Sequence, residues 1–148
     1  MIEKEVWIRE AIQKTESRIS DISAAMDTAN DSLVNDTKSS MGDKYETSRE
    51  MAQQELSRLQ QQWKQAQQDL DTLHNLPIEP LKLVGLGSLV VTNQFHYLLS
   101  ISIGPMKIDQ ETVMVISKES PIGKLLLGKK VGDSLTFNGK EIKITNLL

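Results

Sequence analysis

Cysteine is absent from this 148-residue sequence, which excludes disulfide bonds and cysteine-ligated zinc sites. Apolar runs are short, and none approaches the roughly 20 residues that a membrane-spanning helix needs. The chain is charged from Glu3 onward and lacks the apolar core of a signal peptide. We therefore expect a cytoplasmic protein that has no contact with a membrane.

Glycine is almost missing from the first half of the chain, since one of the eight glycines precedes Pro77 and seven follow it. This change in composition predicts two domains, one at 1–76 and one at 77–148. Charge follows the same division: residues 1–77 carry a net charge of −5, and residues 80–148 carry +3. An acidic segment is a poor general ligand for nucleic-acid backbone, whereas the basic segment suits an acidic protein surface.

Two stretches of the first domain repeat an apolar or small residue at alternating steps of four and three, the heptad pattern of a coiled coil. The first stretch comprises Ile8, Ile12, Thr15, Ile19, Ile22, Met26 and Ala29. The second comprises Ala52, Leu56, Leu59, Trp63, Ala66, Leu70 and Leu73. Pairing them from the outside inward places the fold-back near residues 40 and 41. The pattern predicts an antiparallel helical hairpin about 50 Å long.

Two carboxylates, those of Asp43 and Glu46, fall at this fold-back, in the stretch Met41-Gly42-Asp43-Lys44-Tyr45-Glu46. If Ser40 caps the second helix, both acids lie one turn apart on one helix face and are free to bind a cation. The spacing also fits a capping box, in which Asp43 caps the helix and Glu46 reaches back to it. The sequence leaves both interpretations open.

The second domain shows the signals of a small sheet protein. Strand-like runs occupy about 84–92, 95–103 and 111–117. Ser120-Pro121 is typical of a helix start, and Gly128 of its end, so 120–128 is predicted to form one short helix. Asn138-Gly139 between two apolar runs indicates a tight β-hairpin. Together these signals predict a twisted antiparallel sheet covered by one helix.

Three segments resemble a known family. The segment Gly42-Asp43-Lys44-Tyr45-Glu46 resembles the Gly-Asp-x-x-Glu core of the bacterial Gre transcript-cleavage factors. Residues 120–133, beginning Ser-Pro-Ile-Gly-Lys-Leu-Leu-Leu-Gly, resemble the signature of the Gre carboxy-terminal domain, and residues 84–90 resemble its opening strand. Order and spacing agree over nearly the whole chain, although Lys44 and Thr47 stand where the family commonly has Leu and Asn.

The resemblance implies an α+β fold, with an amino-terminal antiparallel coiled-coil hairpin followed by a small FKBP-like antiparallel sheet domain. It implies a monomeric transcription elongation factor that inserts its tip into the secondary channel of RNA polymerase and stimulates cleavage of backtracked RNA. The factor would be no enzyme by itself and would bind no cofactor alone. Asp43 and Glu46 would be the catalytic residues, holding Mg²⁺ together with the polymerase close to the RNA 3′ end. The implied polymerase-docking residues are Ser120, Pro121, Ile122, Lys124, Lys129 and Lys130.

Three other functions are kept as alternatives. A related factor could occupy the polymerase channel and inhibit the enzyme without stimulating cleavage. The hairpin could also be a plain adaptor rod, for which the acidic pair would be irrelevant. The third alternative is an FKBP-type prolyl isomerase, for which the second domain offers three aromatic residues, Phe95, Tyr97 and Phe137, and no Trp.

Overall fold

The computed structural model describes the backbone of residues 1–36 and 42–148, and the side chains of residues 1–34 and 46–148. Its first part consists of two α-helices, α1 (Lys4–Asp36) and α2 (Gly42–His74). These helices confirm the predicted helical pair, while the predicted fold-back at residues 40 and 41 lies outside the described residues. Among the described residues, no helix has an apolar stretch long enough to cross a bilayer.

A sheet of six strands and one short helix follow in the described chain. They are β1 (Leu89–Thr92), β2 (His96–Ser100), β3 (Gly104–Ile108), β4 (Glu111–Ser117), α3 (Pro121–Leu126), β5 (Ser134–Phe137) and β6 (Lys140–Leu147). The strand order is β3-β4-β2-β1-β6-β5. The predicted combination of a helical pair with a sheet and one short helix is confirmed.

One pairing differs from the predicted antiparallel sheet. β2 and β4 are parallel, whereas β1–β2, β1–β6, β3–β4 and β5–β6 are antiparallel. β3 causes the difference: it follows β2 in sequence, reverses direction and pairs with β4, so β4 returns alongside β2 in the same direction. The sequence analysis missed β3, which starts with Gly104-Pro105 and therefore lacks a typical strand signal.

The strand predicted to open the sheet at residue 84 begins later, at Leu89. The preceding residues form a turn in which the Gly85 amide donates to the Ser88 hydroxyl at 2.9 Å. Gly87 has a φ of +94°, and a β-carbon there would lie 2.6 Å from Cδ of Pro77. This turn needs glycine for both conformation and space.

Backbone contacts divide the chain into two compact units. The sheet unit comprises Met1–Ile12 and Thr72–Leu148, and the helical unit comprises Gln13–Asp71. The predicted boundary after residue 76 follows the change in composition. The division by backbone contacts instead assigns residues 1–12 and 72–76, which contain the start of α1 and the end of α2, to the sheet unit. The predicted boundary stays a prediction.

The sheet unit buries side chains on both faces of its sheet. Successive residues of a strand point to opposite faces, so Leu98 belongs to one cluster, and Tyr97 and Leu99 belong to the other. The first cluster includes Trp7 and Leu73 from the ends of the long helices. The sequence analysis missed Trp7, because it falls outside the four-three repeat.

The start of α1 is also fixed by polar contacts within the sheet unit. The Ile2 amide donates to the Glu111 carboxylate at 2.8 Å, and the Lys4 ammonium donates to the Glu79 carbonyl at 3.0 Å. Lys4 is buried, and this burial lowers the pKa of its ammonium group.

The helical unit has a thin apolar seam. Its buried members are Ile22, Ala29, Leu59 and Ala66, all of them predicted seam positions. Trp63 is the exception, since 39% of its surface is exposed. The small residues Thr15 and Ala66 are almost fully buried.

Candidate functional site

The predicted acidic pair lies at the start of α2. The helix begins at Gly42, so Asp43 is already within its first turn, and Glu46 follows three residues later. Residues three apart are neighbours on a helix surface. The backbone therefore agrees with the interpretation in which both acids share one helix face, and it disagrees with a capping box, in which Asp43 would precede the helix. Ser40 and Met41 lie outside the described residues.

The metal-binding role of this pair stays a prediction. The Glu46 side chain is exposed, whereas the side chain of Asp43 is not among those described. Among the described side chains, no group of three His, Asp or Glu residues could hold a metal ion. Two carboxylates fit only part of a Mg²⁺ coordination shell, which is usually completed by water and phosphate oxygens. The pair would therefore need ligands from a partner.

The predicted docking segment starts at the cap of α3. The Ser120 hydroxyl accepts a hydrogen bond from the Gly123 amide at 3.0 Å and donates one to the Ser117 carbonyl at 2.7 Å. Pro121 occupies the first helical turn, where its missing amide hydrogen costs nothing. The predicted helix start is confirmed, and the Ser120 hydroxyl is occupied by bonds within the fold.

One predicted docking residue is nearly buried. Ile122 is 8% exposed and packs in the core cluster with Leu126, one helical turn away. Its docking role stays a prediction. Lys124 and Lys130 are exposed as predicted, and Lys129 is half-buried.

An exposed group of aliphatic side chains surrounds the docking segment. We call this group the apolar patch; it comprises Leu83, Leu86, Leu125, Leu127 and Val131. Backbone hydrogen bonds join the segments that carry it: the Val84 amide donates to the Lys129 carbonyl at 2.8 Å, and the Gly128 amide donates to the Val84 carbonyl at 2.9 Å. Exposed apolar groups rimmed by polar residues typically mark interaction sites.

The sequence analysis did not assign the apolar patch, although a signal was present. Residues 125–127 are three consecutive leucines. Successive residues of a helix are about 100° apart, so three in a row cannot all face one core. Leu126 is buried, and Leu125 and Leu127 are exposed on either side of it. The run therefore indicated that some leucines lie on the surface.

A second feature of the sheet unit is a pocket of about 270 Å³. It is lined by Gln94, Phe95, Tyr97, Met114, Ile116, Ile122, Phe137, Asn138, Lys140 and Ile142. The three aromatic residues named from the sequence thus meet in one place. No finding tests the isomerase alternative for which they were named, and it stays a hypothesis.

Two of these aromatic side chains form an edge-to-face pair. The ring centroids of Phe95 and Tyr97 are 6.4 Å apart, and the ring planes are inclined by 79°. Phe95 is largely exposed, while Tyr97 is buried, and this burial raises the pKa of the Tyr97 phenol. Removal from water disfavours the phenolate. Phe95 thus adds an exposed aromatic side chain to the lining of the pocket.

Comparison with protein families matches part of the second domain. Residues 101–147 match the family described as "Transcription elongation factor, GreA/GreB, C-term". The matched range contains α3, the docking segment and most of the sheet, and it excludes the acidic pair. No curated protein matches the chain.

The solved structures that resemble the chain include three of Gfh1. GreA factor homolog 1 (Gfh1) of Thermus thermophilus is 22% identical over 93% of this chain and 94% of that chain, with a TM-score of 0.37. A structure described as the transcription factor Gfh1 is 23% identical over 93% and 92%, with a TM-score of 0.38. Gfh1 of Thermus aquaticus is 21% identical over 94% of both chains, with a TM-score of 0.35. These values are too low to carry an argument about function.

Proposed function

We propose that the second domain of this chain belongs to the GreA/GreB C-terminal domain family. On that premise, we propose that the protein is a transcription elongation factor that binds RNA polymerase. The observation that carries the proposal is the family match over residues 101–147, which contains the exposed part of the docking segment. The protein would act in the cytoplasm as a monomer.

The docking surface that we propose is the apolar patch together with the cations beside it. Leu125 and Leu127 are exposed, and Lys124 and Lys130 flank them in sequence. Burial of aliphatic groups on binding contributes affinity roughly in proportion to the area removed from water, at about 25 cal/mol per Å². The neighbouring lysines favour a partner surface that carries carboxylates.

The acidic pair supplies the second part of the proposal. We propose that Asp43 and Glu46 enter the polymerase secondary channel and help to hold a Mg²⁺ ion at its active site near the RNA 3′ end. A bound Mg²⁺ polarises a phosphoryl oxygen and orients a water for attack. The contribution of this chain is limited to two carboxylates on successive turns of α2, of which that of Glu46 is exposed to solvent. Exposed carboxylates hold Mg²⁺ too weakly to act alone, so the protein would be no enzyme without the polymerase.

Cleavage of backtracked RNA by purified polymerase tests this role. We expect the wild-type protein to accelerate release of the RNA 3′ fragment, and the double variant Asp43→Asn, Glu46→Gln to lose the acceleration while still binding polymerase. The matched control is Asp27→Asn, Asp31→Asn, which removes two exposed carboxylates from α1 and should retain full stimulation.

The outcomes separate the alternatives. If the wild type binds polymerase and slows RNA synthesis without any cleavage, the protein is an inhibitor that occupies the channel. If no polymerase is bound, the adaptor alternative replaces the proposal. Retained stimulation by the double variant would contradict the role of the acidic pair.

The docking surface needs a separate measurement. We expect Leu125→Asp, Leu127→Asp to weaken polymerase binding at least tenfold, because two charged groups would have to be desolvated at the interface. Ile78→Asp is the control, since Ile78 is an exposed aliphatic residue outside the apolar patch. Equal loss of binding in both variants would show that the apolar patch is not the contact.

A further inference from the structure

The apolar side chains of the helical unit form two rows on each helix. The inner row is buried and contains Thr15, Ile22, Ala29, Leu59 and Ala66. The outer row is half-buried or exposed, and we call it the outer stripe; it comprises Ile19, Met26, Leu33, Leu56, Trp63 and Leu70. The members of the outer stripe on each helix are seven positions apart, which is the spacing of a continuous line along a coiled-coil helix.

The two halves of the outer stripe lie on the same side of the helix pair. Arg18, near the start of α1, contacts Asp69, near the end of α2, so the helices run antiparallel. On each helix the outer row follows the inner row by four residues, as Trp63 follows Leu59, and four residues exceed a full turn by about 40°. Because the helices are antiparallel, equal rotations move both rows to the same side.

The opposite side of the helix pair is closed by a polar contact. Arg18 and Asp69 each follow an inner-row residue, Thr15 and Ala66 respectively, by three positions. Three residues fall short of a full turn by about 60°, which places both side chains on the side away from the outer stripe. There Nη1 of Arg18 lies 3.2 Å from Oδ2 of Asp69. The ion pair therefore covers one side of the seam, and the outer stripe occupies the other.

The sizes of the side chains are the reverse of what burial between two helices alone would favour. Three of the buried inner-row residues are small, namely Thr15, Ala29 and Ala66. Every member of the outer stripe is a large apolar residue, although burying large apolar groups contributes most to stability. Trp63, the largest of them, keeps 39% of its surface exposed. Large apolar residues at heptad spacing on an open side fit a face that packs against a third helix.

The charge beside the outer stripe favours a basic helix. The next row outward contains Glu16 on α1 and Gln60 and Gln67 on α2. Among the described side chains of the helical unit, this flanking row contains no Lys or Arg. Residues 1–77 carry a net charge of −5, so a second copy of the helical unit would be repelled, whereas a basic partner would be attracted.

We propose that the outer stripe binds a basic, amphipathic α-helix of a partner protein, which completes a three-helix bundle with α1 and α2. The apolar face of the partner helix covers Trp63 and its neighbours, and a Lys or Arg beside that face meets Glu16. Leu56 and Leu70 are about 21 Å apart along α2, so a helix of about three heptads covers the stripe. The surface lies outside residues 101–147, and the proposal does not rest on the proposed function.

Tryptophan fluorescence of the full-length protein, titrated with synthetic peptides and without polymerase, tests the proposal. The probe is a three-heptad peptide with Leu at the first and fourth positions and Lys at the fifth and seventh, where like charges disfavour pairing of the peptide with itself. One control peptide has Glu in place of Lys, and another has the same residues scrambled so that no apolar face forms. We expect the Lys peptide to bind roughly 10-fold or more tightly than either control.

The emission of Trp63 reports where the peptide binds. We expect binding to shift this emission to shorter wavelengths, because the peptide excludes water from the indole. Trp7, the second tryptophan of the chain, is 1% exposed and should not respond. Trp63→Phe should therefore abolish the shift while retaining most of the affinity, which fluorescence anisotropy of a labelled peptide measures.

Two pairs of variants test the apolar and the charged contacts separately. Trp63→Gln should weaken binding roughly 10-fold or more, whereas Met51→Gln should not, because Met51 is 65% exposed on α2 outside the outer stripe. Glu16→Lys should weaken the Lys peptide at low salt, and this effect should shrink at high salt. Asp21→Lys is its control, since Asp21 is an exposed carboxylate of α1 outside the flanking row. Circular dichroism verifies that each variant keeps its helices.

Sedimentation velocity at increasing protein concentration, without peptide, tests a second copy as the occupant. A monomer throughout supports the proposal, and a dimer that Trp63→Gln abolishes overturns it. Equal affinity of the three peptides, equal effects of Trp63→Gln and Met51→Gln, or binding without a change in Trp63 emission would each overturn it as well. Because no polymerase is present, such a failure leaves the proposed elongation role untouched.

Discussion

The sheet unit and the helical unit differ in how many apolar side chains they bury. Among the described side chains, the sheet unit has a cluster of eleven buried residues on each face of its sheet, whereas the core cluster of the helical unit has four buried apolar residues. Helices joined by so few buried side chains gain little stability from packing against each other, in addition to the stability from their own backbone hydrogen bonds. The comparison indicates that the sheet unit contributes most of the stability of the protein, and that the helical unit has long helices that bury few apolar residues.

The largest expected effect is the difference between two leucine truncations. Leu99→Ala removes a fully buried side chain from β2 and should lower the free energy of unfolding by about 4 kcal/mol. Leu59→Ala removes a seam side chain that has fewer neighbours, and it should lower the free energy of unfolding by about 2 kcal/mol, because the thin seam can collapse around the gap. Urea unfolding followed by circular dichroism measures both. If Leu59→Ala lowered the free energy of unfolding as much as Leu99→Ala, the proposed difference between the two units would be wrong.

The helical unit was the more predictable of the two, because its pattern is local and periodic. The buried residues Ile22, Ala29, Leu59 and Ala66 were all assigned to the seam from their spacing. Trp63 also had the seam spacing, yet 39% of its surface is exposed. Spacing in the sequence reports the face of a helix, and it does not report how deeply each residue of that face is buried.

The sheet unit was less predictable, because its arrangement depends on long-range pairing. The parallel pairing of β2 with β4 follows from β3, which lacks a strand signal, and the burial of Trp7 requires the sheet beneath α1. Ile122 was assigned to the docking surface because it lies in the family motif, and in the structure it is a nearly buried member of a core cluster. A sequence motif does not distinguish contact residues from packing residues.

A smaller effect is expected where α3 meets β4. A β-carbon on Gly123 would lie 2.1 Å from the Ser117 carbonyl oxygen and 2.8 Å from the Ser120 hydroxyl. Gly123→Ala should therefore destabilise the protein by about 1–3 kcal/mol, since a backbone atom cannot move aside easily. Gly85→Ala is the matched control, because a β-carbon there meets no atom within 4 Å. Thermal unfolding of the two variants gives the difference, and equal melting temperatures would contradict the close approach.

The cap of α3 should contribute less again. Ser120→Ala removes both hydrogen bonds of the hydroxyl group and should cost about 1 kcal/mol. Ser134→Ala, at an exposed position of β5, should stay within about 0.5 kcal/mol of the wild type. If Ser120→Ala also weakens polymerase binding while Ser134→Ala does not, the result links the stability of the sheet unit to docking on the polymerase. Polymerase binding that falls equally in both variants would remove that link.

The smallest effect is expected in the helical unit, at the ion pair between its helices. Nη1 of Arg18 lies 3.2 Å from Oδ2 of Asp69, and both residues keep some contact with solvent. A partly exposed pair of this kind contributes about 0.2–1 kcal/mol and is weakened by salt. A double-mutant cycle with Arg18→Gln and Asp69→Asn should give a coupling energy of about 0.5 kcal/mol at low salt and a smaller one at about 1 M salt. Asp69 also accepts a hydrogen bond from Gln65 at 3.0 Å, so Asp69→Asn alone should cost more than Arg18→Gln alone. A coupling energy above about 2 kcal/mol would place this pair among the strong interactions of the molecule and would contradict the view that a thin apolar seam holds the two helices together.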